Sequence, residues 1–129
     1  MLKRILIADD DPGIVDAVEM MLSFYDYQVS STYDGNEVTD LVPELNPDLI
    51  LLDIWMSGVD GRDVCHKLKN NPATSGIPVL MISASKDIAA SAIDSGADGF
   101  IAKPFDMDDL ITKIEDLLHR EGEIQQQSA

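Results

Sequence analysis

Leu49-Ile50-Leu51-Leu52-Asp53 places four consecutive apolar side chains directly before an acid. A strand wetted on one face alternates apolar and polar residues, whereas a short unbroken apolar run belongs to a strand covered on both faces, the condition of a parallel sheet between two layers of helices. The same grammar recurs on either side. Ile5-Leu6-Ile7-Ala8 runs out into Asp9-Asp10-Asp11, Val79-Leu80-Met81-Ile82 into Ser83, and the weaker Gly99-Phe100-Ile101-Ala102 into Lys103-Pro104. Gln28-Val29-Ser30-Ser31-Thr32 is polar enough to predict an edge strand.

Helical patterns separate these runs. Ile14, Val15, Val18, Met21 and Leu22 fall at helical spacing, with Asp11 as N-cap and Pro12 at the first helical position. A second helix is predicted from Asp34, with Glu37 completing a capping box and Pro43 ending or kinking it early. A third covers about Gly61 to Lys69 and a fourth about Asp87 to Ser95. The fifth starts at Asp106 and carries Leu110, Ile111, Ile114, Leu117 and Leu118; Asp108 and Asp109 lie in its first turn, His119 and Arg120 in its last, and Gly122 follows as the stop. Strand followed by helix, five times over, predicts an α/β fold: a doubly wound five-stranded parallel sheet of flavodoxin-like order 2-1-3-4-5, with right-handed crossovers and helices on both faces.

At 129 residues the chain fits one domain able to bury its own core. Residues 1–121 are expected to form it, and 122–129, with Gln125-Gln126-Gln127, a frayed polar tail or the start of a linker. No apolar run approaches a membrane span, no export signal is visible at Met1-Leu2-Lys3-Arg4-Ile5, and the single Cys65 allows no internal disulfide, so a cytoplasmic protein is expected. The net charge of −15, from 24 acidic against 9 basic side chains, argues against direct contact with nucleic acid or an acidic membrane face. Most of these acids are ordinary solvated helix surface, Asp11 is a cap rather than a ligand, His66 and His119 are surface residues, and Cys65 is half-buried packing.

The chemistry gathers at the strand ends. In the 2-1-3-4-5 order, Asp9, Asp10 and Asp53 converge on one rim, where their mutual repulsion must raise a pKa or bind a cation. An oxygen-only set suits Mg²⁺ better than zinc. Lys103 adds a positive charge and Ser83 a hydroxyl at the same rim, so an acidic metal pocket stands beside donors for an anion. That combination is a phosphoryl site in which the Asp53 carboxylate can be the nucleophile.

Over about residues 3 to 120 the chain resembles the receiver domains of bacterial two-component response regulators. The resemblance implies that Asp53 is the phosphoacceptor, Asp10 a direct Mg²⁺ ligand, Asp9 a ligand acting largely through water, and the Trp55 carbonyl a further ligand. It makes Ser83 the switch hydroxyl, Lys103 the salt-bridging lysine before a proline that is usually cis, and Phe100 the switch aromatic. The family's partners would follow: a histidine kinase or phosphotransfer protein as donor, and an effector protein or domain reading the fourth helix, fifth strand and fifth helix. Such a domain is not an enzyme on outside substrates; it assists its own phosphorylation and dephosphorylation. Ser57 stands where proline is usual, Ser83 replaces the commoner threonine and Phe100 the common tyrosine. The resemblance also implies that Trp55 and Ser85 flank the path of hydrolytic water, where a bulky indole predicts a long-lived phosphoryl group.

Three other functions meet objections in the residues. An aspartate-nucleophile phosphatase of the haloacid dehalogenase type needs a second carboxylate where Trp55 stands. In a flavodoxin, Asp9-Asp10-Asp11 would repel the flavin phosphate. A pseudo-receiver scaffold would have no use for the acids, Ser83 and Lys103 together.

Overall fold

The computed structural model describes residues 2–56, 58–85 and 88–127, the side chains of 120–127 excepted. Five strands form one parallel sheet: β1 (Arg4–Ala8), β2 (Gln28–Thr32), β3 (Leu49–Asp53), β6 (Val79–Ser83) and β7 (Gly99–Ala102), in the spatial order β2-β1-β3-β6-β7. This is the expected 2-1-3-4-5 order, interrupted in numbering by a two-stranded antiparallel ribbon, β4 (Trp55–Met56) and β5 (Val59–Asp60), which the sequence reading did not anticipate. The ribbon turns at Gly58, whose φ of 84° lies in the left-handed region.

Strand alternation sorts the core into two clusters. Ile5, Ile7, Leu49, Leu51, Leu80, Ile82 and Ile101 face α1 (Pro12–Phe24) and α5 (Met107–Gln127). Leu6, Ala8, Ile50, Leu52, Val79 and Met81 face α2 (Val38–Leu45), α3 (Gly61–Lys69) and α4 (Ala89–Asp94). Every residue of β3 and β6 is buried, as unbroken apolar runs require, while β2 is largely exposed at the sheet's edge.

Several local expectations hold. The Asp11 carboxylate accepts from Gly13 and Ile14 N–H at 2.9 and 3.4 Å, capping α1 with Pro12 in its first turn. Helix α3 has the expected bounds, capped by Asp60, which accepts from Arg62 N–H at 2.9 Å.

Others need correction. After Asp34 comes a 3-10 turn, Gly35–Glu37, before α2 begins at Val38. The capping box does not form, because the Glu37 carboxylate accepts from Thr32 Oγ1 at 2.9 Å instead of reaching back to the Asp34 N–H, which donates to Thr32 Oγ1. Pro43 lies inside α2, and the helix runs two residues past it before Asn46 takes the left-handed cap conformation. Cys65 is fully buried on α3 rather than half-buried, and burial pushes its thiol pKa up. Helix α4 begins at Ala89; Asp87, the expected start, lies outside the described residues, as does Ser57. Helix α5 continues through Gly122 to Gln127, since Glu and Gln are good helix formers and a glycine without a left-handed turn costs a helix only about 1 kcal/mol. The side chain of Arg120, expected in the last turn, is outside the described set.

Candidate functional site

The parallel register brings the carboxyl ends of β1, β3, β6 and β7 to one edge: Ala8 pairs with Leu52, Asp53 with Ile82 and Ser83 with Ala102. Asp53 closes β3, and Asp9 and Lys103 each follow the last residue of their strand. Each stands two positions beyond a core residue of the α1 and α5 face (Ile7, Leu51, Ile101), so the period-two alternation aims all three at one spot. Ser83 stands two positions after Met81 and belongs to the opposite face.

Asp9 is completely buried and Asp53 nearly so. One Asp9 oxygen accepts from Asp11 N–H at 3.0 Å and the other from Lys103 Nζ at 3.0 Å. The same ammonium lies 3.5 Å from Asp53 Oδ2. Carboxylate oxygens of Asp9, Asp10 and Asp53 fall within 4.8 Å of one another, so the convergence expected from topology is realised, with Asp10 on the exposed side. The set fits a divalent cation by its chemistry: hard oxygen donors, one of them exposed to solvent.

Electrostatics follow from that crowding. Burial and then the Asp9 charge raise Asp53 to about 6 against the pull of Lys103, with Asp10 adding to the rise. Burial pulls Lys103 down, but Asp9 and Asp53 more than offset it and hold the ammonium above its ordinary value.

Ser83 is buried; its hydroxyl accepts from Ser85 N–H at 3.1 Å and its carbonyl accepts from Lys103 N–H at 2.8 Å, so the β6 and β7 loops are joined beside the site. The Lys103–Pro104 peptide is cis. Phe100 is half-buried against the α2–α4 cluster, on the same sheet face as Ser83. Ser85 is exposed. Trp55, two residues after Asp53, is 58% exposed. Gly61 lies under the loop that follows Asp53: its N–H donates to the Ile54 carbonyl at 2.6 Å, and a Cβ there would run into the Asp53 carbonyl oxygen.

A residue-by-residue reading missed Arg62. Its guanidinium lies 5.5 Å from the Trp55 ring centroid, pairs with Asp60 at 2.7 Å and donates to Ser91 Oγ on α4 at 3.0 Å. Nothing in the order of residues flags an arginine in the first turn of a helix as a neighbour of the lone tryptophan.

A family model for the response regulator receiver domain matches residues 5–115. The chain belongs to the response regulator receiver domain family. Similar proteins include the DNA-binding dual master transcriptional regulator RpaA of Synechocystis sp., 41% identical over 127 residues, covering 97% of this chain and 53% of that protein. The DNA-binding response regulator MtrA of Mycolicibacterium smegmatis is 35% identical over 122 residues, 93% of this chain and 52% of its own. This receiver domain therefore spans about half the length of the curated relatives it matches. Among solved structures, a CheY-like receiver domain protein of Methanospirillum hungatei superposes with a TM-score of 0.88 at 29% identity, over 95% of this chain and 98% of that one. NtrX of Brucella abortus gives 0.89 at 33% identity, over 99% of this chain and 29% of that one. Among the described residues no helix is long and apolar enough to cross a membrane.

Proposed function

We propose that this receiver domain is a phosphorylation-dependent switch in which Asp53 accepts a phosphoryl group from a histidine kinase, a phosphotransfer protein or a small phosphodonor. The observation that carries the reading is the contact of one ammonium, Lys103 Nζ, with both Asp9 and Asp53 inside a cluster of three carboxylates. Such a site holds a nucleophile and positive charge where phosphoryl oxygens would arrive.

Asp10 and Asp53 would hold Mg²⁺ directly, together with the Trp55 carbonyl, and Asp9 would act through water, since both its oxygens already accept from protein donors. When bound, the cation supplies neutralisation of the carboxylates and of the incoming phosphoryl oxygens. The chain's own groups do the rest. An Asp53 carboxylate oxygen attacks phosphorus in line with the donor's P–N or P–O bond, which breaks as the aspartyl P–O bond forms and the donor leaves as its free imidazole, amine or carboxylate, while Lys103 pairs with the transferred oxygens. The Ser83 hydroxyl, now accepting from Ser85 N–H, turns to donate to the phosphoryl group. Drawing Ser83 inward vacates space on the sheet face it shares with Phe100, and the aromatic ring turns into it. The surface of α4, β7 and α5 then differs between the two states, and an effector that prefers one of them reads the switch. RpaA and MtrA are named as DNA-binding proteins; in this protein the domain itself, with its net charge of −15, would govern an effector rather than touch nucleic acid. Outside substrates are not turned over, so the domain is a phosphoacceptor rather than an enzyme.

The test is intact-mass analysis after incubation with Mg²⁺ and a small acyl or amido phosphodonor. Wild type should gain one phosphoryl group and Asp53→Ala none; labelling that persists in the variant overturns the assignment.

A further inference from the structure

Arg62 makes contacts that helix capping does not require. Its backbone N–H completes the α3 cap on Asp60, while the side chain reaches three separate places. Nε and Nη2 grip the Asp60 carboxylate at 3.0 and 2.7 Å. Nη1 donates to Ser91 Oγ at 3.0 Å. The guanidinium carbon sits over the Trp55 ring, 5.5 Å from its centroid. Trp55 and Asp60 are register partners in the small ribbon, so the guanidinium holds both strands of the loop that follows Asp53. An arginine fork and a planar face suit this triple duty; an ammonium does not.

The Ser91 arm reaches a short helix. Helix α4 is six residues long, has no side-chain cap at Ile88, and buries only Ala92. Ser91 Oγ donates its hydrogen bond to the Ile88 carbonyl at 3.0 Å, leaving an oxygen lone pair to accept from Arg62. Through Ser91, the helix whose surface the switch is proposed to change is connected to the indole beside the phosphoacceptor.

We propose that Arg62 is a positioning residue that fastens the Trp55 indole at the mouth of the site and ties it through Ser91 to α4, so that one guanidinium sets both phosphoryl lifetime and the placement of α4. This rests on the reading of Asp53 as acceptor. A partner that moves α4 pulls on the same guanidinium through Ser91, so the indole moves with it and the phosphoryl lifetime changes.

Trp55 is the sole tryptophan, so its fluorescence reports the clamp without any phosphorylation. Acrylamide quenching should rise about twofold in Arg62→Gln, remain raised in Arg62→Lys, and rise to an intermediate level in Ser91→Ala, whose substitution lies outside the site. With Mg²⁺ and a small phosphodonor, the phosphorylated lifetime should shorten about threefold in Arg62→Gln and in the same direction in Ser91→Ala, with the double variant no faster than Arg62→Gln alone. Quenching in Ser91→Ala equal to wild type breaks the tie to α4 and overturns the proposal, as does an unchanged lifetime in variants whose quenching has risen. If wild type takes up no phosphoryl group, the reading of Asp53 fails instead, and the quenching series still decides whether the clamp exists.

Discussion

Lys103 Nζ donates to Asp9 Oδ2 at 3.0 Å, and it is the positive charge that makes a completely buried aspartate tolerable at the edge of this sheet. The two residues stand 94 positions apart in the chain. Removing one member of such a pair leaves an uncompensated charge in a poorly solvated place, which costs far more than an exposed ion pair is worth.

Lys103→Met should therefore lower stability by about 3 kcal/mol at neutral pH, read from urea denaturation. Added Mg²⁺ should restore part of the loss by screening the same carboxylates. A variant as stable as wild type would mean that Asp9 gains its solvation elsewhere.

Mg²⁺ should raise the melting temperature of wild type in proportion to its binding, and Asp10→Asn should lose most of that gain while keeping the fold. An equal gain in both proteins would place the cation away from the Asp9, Asp10 and Asp53 cluster.

The pH dependence follows from Asp53, raised from 3.8 to about 6. Between those values the folded state binds more proton than the unfolded chain, so this group's contribution makes stability fall as pH rises from about 4 to about 6 and level off above. Cation binding competes with that proton, so Mg²⁺ affinity should rise by up to about tenfold per pH unit below 6 and flatten above it. Thermal shifts with Mg²⁺ at a series of pH values will show the bend, and Asp53→Asn should remove it.

Gly61→Ala should destabilise the domain by about 1–3 kcal/mol, because the new methyl meets the Asp53 carbonyl oxygen and the backbone must move. The displaced loop carries Trp55, so the variant's fluorescence should change along with its denaturation midpoint. An unchanged spectrum and midpoint would show that the loop yields at no cost.

An exposed indole at position 55 and a hydroxyl at 85 offer hydrolytic water neither an amide nor a carboxylate to orient it. Trp55→Asn combined with Ser85→Glu should shorten the phosphorylated lifetime by about tenfold, a barrier change of only ~1.4 kcal/mol. Decay as slow as wild type in the double variant would count against the indole as a shield.

The sheet and most of the site were legible along the chain because both rest on period two. Unbroken apolar runs mark strands covered on both faces, and the residues two places beyond Ile7, Leu51 and Ile101 must point where those core residues point. Order within a parallel doubly wound sheet then brings Asp9, Asp53 and Lys103 to one edge. Capping at Asp11 and the bounds of α3 were legible for a similar reason: each is settled by atoms within one helical turn. What the chain alone did not determine depends on contacts between residues remote in sequence or on competition between near-equal local partners. Thr32 Oγ1, at the end of a neighbouring strand, captures Glu37 and so dissolves the capping box that local spacing suggests. Cys65, by contrast, was within reach of the local pattern, since with Gly61, Val64 and Leu68 it completes an i, i+3, i+4, i+7 set on the one buried face of α3. Arg62 meets Trp55 and Ser91 only because the ribbon folds back beneath the first turn of α3 and α4 passes alongside. Short-range periodicity decides which face a side chain takes, and only the packed sheet and helices decide which other side chain waits there.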